Sequence, residues 1–431
     1  MSVLLALTIL AFAAGSSSVA RAGEVGRPAR WWLLGALGVV SAAYSLRRRR
    51  SPIVLAAPTV LAAVLLVVAL GSTSWSGSPH VTFHRAASLA LLLVTAGLLA
   101  YGSAGERARV EPILVGVLGG AVLVGLASLL VGAADPGAAG SLRTRYRGFG
   151  EQATTDAMLY ALALPVAFLA VLRARTRVER AAAAGAFALL DGLLVVSGSR
   201  GPEVGAVLGL VLLGLVRSRM TRLAGGGLAV ATAALALAVG LIQTSREPAA
   251  APAHPTVAST APTRYPNPGL LSQELGSRSD SSVIRSLFRS SGRTGAWRGA
   301  VRKANERPVL GWGFGTEDRV FENHHYGYQG ALVGSSWVGL YLQLGALGVA
   351  LLAAVWLVLG GAVVRTARRL GRDPVALTCA GVVAAAFPIT FVESWIYAAG
   401  NVASLPFWAG ALRLGTIVWG RTRKEADPVA A

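Results

Sequence analysis

Residues 291–315 read SGRTGAWRGAVRKANERPVLGWGFG. The stretch is strongly basic, carries tryptophans and ends in spaced glycines. It interrupts a chain whose other long segments are almost all Ala, Leu, Val and Gly. A wet cationic segment between greasy runs is a loop between membrane spans, so the fold follows from the runs on either side. Hydrophobic types make up 54% of the 431 residues and charged types 14%. A soluble domain carries about 25% charged residues. The expected class is an all-α polytopic membrane protein.

The net charge of +20 would suggest nucleic acid in a soluble protein. Here the arginines cluster in short connections between apolar runs, which is the pattern that sets membrane topology. The expected partner is the lipid bilayer, and no nucleic acid. Abundant Gly and Ala suit close helix packing in lipid. Cys379 stands alone in an apolar run, so no disulfide or thiol metal site is available, and its expected role is packing.

A helix needs about 20 apolar residues to cross the hydrocarbon core. About twelve transmembrane helices are expected, at 2–20, 31–46, 53–71, 86–102, 112–132, 154–172, 181–197, 201–216, 225–243, 336–359, 375–397 and 400–419. Residues 2–20 resemble a signal peptide, but no basic residue precedes the run, so it is read as a retained span. One set of alternate connections holds twenty cations, including Arg47–Arg50, Arg173 to Arg180 and Arg365 to Arg372. The other short connections hold eight: Arg21, Arg27, Arg30, Arg85, Arg143, Arg145, Arg147 and Arg200. The positive-inside rule places the first set and both termini in the cytoplasm. It places the one long connection, 244–335, outside.

The chain divides accordingly. Nine spans fill 1–243, the extracytoplasmic loop fills 244–335, three spans fill 336–420, and 421–431 is a cytoplasmic tail. Within the loop, 246–268 is rich in Pro, Ala and Thr and reads as a disordered spacer. Residues 280–315 form the basic, partly helical part. Trp297, Ala300, Val301 and Ala304 fall at helical spacing, and Gly292 and Gly295 are candidate breaks. Pro308 ends the helix, and Gly311, Gly313 and Gly315 read as a flexible turn.

Polar groups gather on the outer side. Arg293, Arg298, Arg302, Lys303 and Arg307 fit either a face on anionic headgroups or a grip on the phosphates of a lipid-linked substrate. Arg200 stands in SGSRGP, where it either caps a helix or holds an anion. Arg143, Arg145 and Arg147 precede Gly148-Phe149-Gly150 where the topology rule disfavours cations, so they ask for an anion partner. His324 and His325 read as surface residues, a poor metal pair, or a general base. Glu317, Asp318 and Glu322 are carboxylates with the same possible role. Asp191, Glu393 and Arg413 are charged residues within apolar runs. Asp191 is expected to find a polar partner inside the bundle.

The chain resembles the O-antigen ligase and O-antigen polymerase family of polytopic bacterial glycosyltransferases. Four stretches within 145–360 carry the likeness: RGFGEQATTDAMLYALALP, SGSRGP, the 291–315 stretch and SSWVGLYLQLGALGVALL. The resemblance implies about a dozen spans with one large outer loop. It implies metal-independent transfer of a glycan from undecaprenyl diphosphate to an acceptor hydroxyl, at the outer face of the cytoplasmic membrane. No cofactor is implied. Arg200 matches the family arginine at the span turn, Arg293 the loop arginine before the tryptophan, and Arg147 a further arginine near the diphosphate. Arg145 and Arg298 stand beside them as diphosphate contacts. The family often carries His-Asn where this chain has Gly334-Ser335, so a catalytic histidine must come from His324 or His325. Two other classes compete: a transporter of a small anion or lipid-linked substrate, and a non-catalytic scaffold. No repeat relates residues 1–200 to 201–431, which counts against a two-half transporter.

Overall fold

The computed structural model describes residues 1–17, 19–47, 56–103, 111–136, 140–141, 145–217, 232, 293–321, 333–370 and 373–426. The described helices are α1 (Ser2–Gly15), α2 (Ala20–Arg47), α3 (Ala57–Gly71), α4 (Pro79–Gly102), α5 (Pro112–Ala134), α6 (Ala153–Arg173), α7 (Arg177–Val196) and α8 (Arg200–Arg217). They continue with α9 (Arg293–Ala304), α10 (Glu317–Phe321), α11 (Ser336–Arg369), α12 (Pro374–Val392) and α13 (Ser404–Ala426). Helices occupy every expected span except 225–243, which lies outside the described residues save for Thr232. Six of them, α3 extended by a turn to Ser74, α4 to α6, α11 and α12, are long and apolar enough to cross a membrane. α1 is apolar but shorter. Exposed Leu130 and Leu357 on the outside of the bundle suit a lipid surround.

The helix starts follow local chemistry. Pro79, Pro112 and Pro374 stand in first turns, where a missing N–H costs nothing. Thr176 and Glu179 form a reciprocal capping box on α7. Asp373 accepts from the amides of Val375 and Ala376 at the start of α12.

Small residues set the closest helix pair. Gly201, Gly205 and Gly209 form a stripe on α8 at four-residue spacing. A side chain at Gly201 would overlap Val392, and one at Gly205 would overlap the Ala385 carbonyl. One at Gly209 would lie 2.8 Å from the Gly381 carbonyl. The backbones of α8 and α12 therefore run nearly in contact, which is how dispersion holds helices together in lipid.

Two expectations need correction, and two features were not expected. Residues 375–397 are not one helix: α12 stops at Val392, because Ser336 and Ser394 draw the next residues into tertiary hydrogen bonds. α11 is not straight, since Gly345 breaks it with φ 63°. Gly295 lies inside α9 rather than ending it, while Gly292 lies outside the described residues. The expected all-helical class holds, with one small addition: Gly140–Ser141 (β1) and Arg145–Tyr146 (β2) pair as a short antiparallel ribbon.

Candidate functional site

The break in α11 organises one end of the bundle. Bending at Gly345 frees backbone groups on both sides of the kink. The 308–313 segment takes four of them. The amides of Trp312 and Gly313 donate to the carbonyls of Leu342 and Gln343 at 3.1 and 2.8 Å. The amides of Ala346 and Leu347 donate to the carbonyls of Pro308 and Val309 at 2.7 and 3.4 Å. Irregular backbone inside a bundle is tolerated only when it is satisfied in this way. Gly311 has φ 64°, and a side chain there would overlap the backbone of Gln343 and Leu344. The expected flexible turn is therefore a fixed one, locked into a broken helix.

Glu317 ties a second knot beside it. Its side chain is buried. Oε1 accepts from the amide of Val333 at 2.7 Å and from Ser394 Oγ at 2.8 Å. Oε2 accepts from Tyr397 Oη at 2.7 Å and from Gln343 Nε2 at 2.9 Å. Gln343 in turn accepts from the amide of Gly315 at 2.6 Å. One carboxylate thus joins the loop, α11 and the 393–397 turn. Burial pushes its pKa above the ordinary range, against the opposing pull of these hydrogen bonds.

α9 lies against α11 through Ala296, Ala300 and Ala304, all buried at helical spacing as expected. Trp297 Nε1 donates to the Val333 carbonyl at 3.1 Å. Arg298 and Arg302 project from the exposed face. Lys303 and Arg307 are instead committed to Trp312, each 4.2 Å from its ring centroid. The same loop rests on the start of α4, where Arg85 grips both Asp318 oxygens at 2.7 and 2.6 Å and also donates to the Gly315 carbonyl.

Arg200 is the first residue of α8 and is exposed. Ser197, Gly198 and Ser199 turn the chain just before it, with Gly198 at φ 58°. Its neighbour Gly201 abuts Val392, and the following 393–394 pair bonds Ser335 and Ser336. Arg293 opens α9, one turn before Trp297, which bonds Val333. An unbroken series of contacts therefore joins the starts of α8, α9 and α11. Arg147 is half-buried in the turn before α6. That turn is fixed by Ser17 Oγ donating to the Phe149 carbonyl at 2.5 Å and by the Phe149 amide donating to Ser128 Oγ at 3.1 Å. Arg145 lies in β2. His324, His325 and Glu322 lie outside the described residues, as does Arg143. Gly334 and Ser335 form the helix entry: Ser335 Oγ caps α11 by accepting from the Val338 amide.

Glu317 and Asp318 are two of the candidate bases. Both are held by structural partners, Glu317 in the interior and Asp318 by Arg85. Sequence reading missed Gln343, Ser394, Tyr397 and Arg85 as parts of the site. Gln343 did carry a signal, being the one amide in a long apolar run.

Residues 184–353 match the family described as O-antigen ligase. This segment is similar to the O-antigen ligase family. It runs from α7 through the kink of α11 and holds three of the four stretches that carry the resemblance. The RGFGEQ stretch precedes it. The O-antigen ligase family implies ligase- or polymerase-type glycosyl transfer on lipid-linked glycans in a membrane. No curated protein matches the chain.

Proposed function

We propose that this protein transfers a glycan from undecaprenyl diphosphate to an acceptor hydroxyl, with inversion and without a metal, at the outer face of the bacterial cytoplasmic membrane. The observation that carries the reading is the assembly of the Arg200 turn and the Arg293 helix around the start of α11, within the matched domain. The acceptor oxygen attacks the anomeric carbon as the bond to the diphosphate oxygen breaks. Negative charge grows on the leaving diphosphate. Guanidinium groups in place before the reaction stabilise that charge without reorganising. Arg200 and Arg293 supply them, with Arg147, Arg145 and Arg298 along the diphosphate. A base from 322–325 takes the acceptor proton. Glu317 holds the loop that carries Arg293, Arg298 and this base.

Reconstituted protein with a lipid-linked glycan tests this. Arg200→Ala and Arg293→Ala each lower transfer by about 10²–10³-fold, the loss typical of one preorganised donor, while the protein still accumulates in the membrane. Undiminished transfer by purified Arg200→Ala overturns the assignment. His325→Ala lowers the rate more than His324→Ala. A deletion strain that accumulates single lipid-linked units marks a polymerase, and one that accumulates long chains marks a ligase.

A further inference from the structure

α4 begins at Pro79, and His80 and His84 follow on its exposed face. Residues four apart on a helix stand side by side. Here they converge: the two Nε2 atoms are 3.0 Å apart, with ring centroids 4.3 Å apart and planes at 65°. A neutral imidazole has one ring N–H and one lone pair. The contact holds without a ligand only when one Nε2 carries the hydrogen and the other accepts it. When both rings carry their hydrogen on Nδ1, the two Nε2 lone pairs face a common point and need a cation between them.

We propose that His80 and His84 form a surface site for a divalent transition-metal ion that prefers nitrogen ligands. Imidazole nitrogens bind zinc at about 2.0–2.1 Å. Two such ligands stand roughly 3.3 Å apart at a tetrahedral angle and about 2.9 Å apart at a right angle. The observed 3.0 Å falls between these, so a small ring rotation admits the ion with no backbone movement. The all-nitrogen pair selects Cu²⁺, Ni²⁺ or Zn²⁺ over Mg²⁺ or Ca²⁺, with Cu²⁺ tightest.

Among the described residues no third His, Cys, Asp or Glu completes a cluster. The Asp318 carboxylate is occupied by Arg85. Water fills the remaining positions, so the site is open and its affinity modest. The first turn of α4 lacks a side-chain cap. A chelate spanning its first turn fixes the segment from which Arg85 reaches Gly315 and Asp318. The site is separate from the arginines proposed for transfer and does not depend on that role.

The test uses the full chain in detergent, purified on an affinity tag free of histidine and titrated with Cu²⁺ under electron paramagnetic resonance. One Cu²⁺ per chain is expected, with splitting from two nitrogens, and Zn²⁺ competes for it. His80→Ala and His84→Ala each weaken binding at least tenfold. Both side chains are exposed, so each variant is expected to elute as the wild type does. The double change His324→Ala with His325→Ala leaves binding intact. The proposal falls if the wild type binds no Cu²⁺, if the His80 and His84 variants bind it as the wild type does, or if the 324/325 change is the one that abolishes it.

Discussion

The two ends of the bundle bury a carboxylate in opposite ways. At the loop end, Glu317 is satisfied by a hydroxyl, a phenol, an amide side chain and a backbone N–H, none of them charged. At the other end, Glu111 before α5 meets the Arg413 guanidinium of α13 at 3.1 and 3.2 Å, with both side chains buried. The loop end has arginines in plenty, yet none is used on its buried acid. Arg200, Arg298 and Arg302 face the surface there. One end meets its buried acid with a cation, and the other meets it with neutral donors.

This contrast predicts opposite phenotypes. Arg413→Ala strands the Glu111 carboxylate in the interior and costs about 3–5 kcal/mol, as breaking a buried pair does. Thermal unfolding in detergent is expected to show the drop, with turnover per folded molecule unchanged. Arg200→Ala is expected to do the reverse. If Arg413→Ala instead lost turnover at wild-type stability, the two ends would not differ in purpose.

A second pair of substitutions sharpens the contrast within the loop itself. Gly311→Ala must hold an unfavourable left-handed conformation, which costs roughly 1–2 kcal/mol. It must also push against the backbone of Gln343 and Leu344. Gly295→Ala meets open space inside a helix and should stabilise by up to about 1 kcal/mol. Melting curves of the two variants are expected to move in opposite directions. A shared direction would mean that the 308–315 segment is not locked into α11.

The helices were legible because length and apolarity are local properties, and six of the described ones are long and apolar enough to cross a membrane. Arg200 and Arg293 enter as site candidates through the resemblance alone. Asp191 was expected to find a polar partner and has one in Thr232, whose Oγ1 donates at 2.9 Å. Cys379 is buried as expected. The kink of α11 was not legible. LQLGALG reads as one more apolar stretch, and only the distant Pro308–Gly313 backbone makes a break there affordable. The burial of Glu317 was not legible for a similar reason: Ser394 and Tyr397, which cover it, are 77 and 80 residues away.

The smallest expected effect concerns that carboxyl. Burial, with the neighbouring Asp318 charge, raises its pKa above the ordinary 4.5, and the bonds from Tyr397, Ser394 and Val333 only partly oppose this. A carboxyl with a raised folded-state pKa binds its proton more tightly when folded. Its contribution to stability is therefore complete below pH 4.5 and is lost as pH rises through the folded value. Glu317→Gln keeps the shape but turns one acceptor into a donor, at a cost of about 1 kcal/mol per mismatched bond. It has no proton to lose. The wild-type advantage over Glu317→Gln is expected to be largest in acid and to shrink as pH rises. Melting both proteins across a pH series measures this, and a gap that widened with pH would mean that Glu317 is stabilised as the anion and that its hydrogen bonds outweigh its burial.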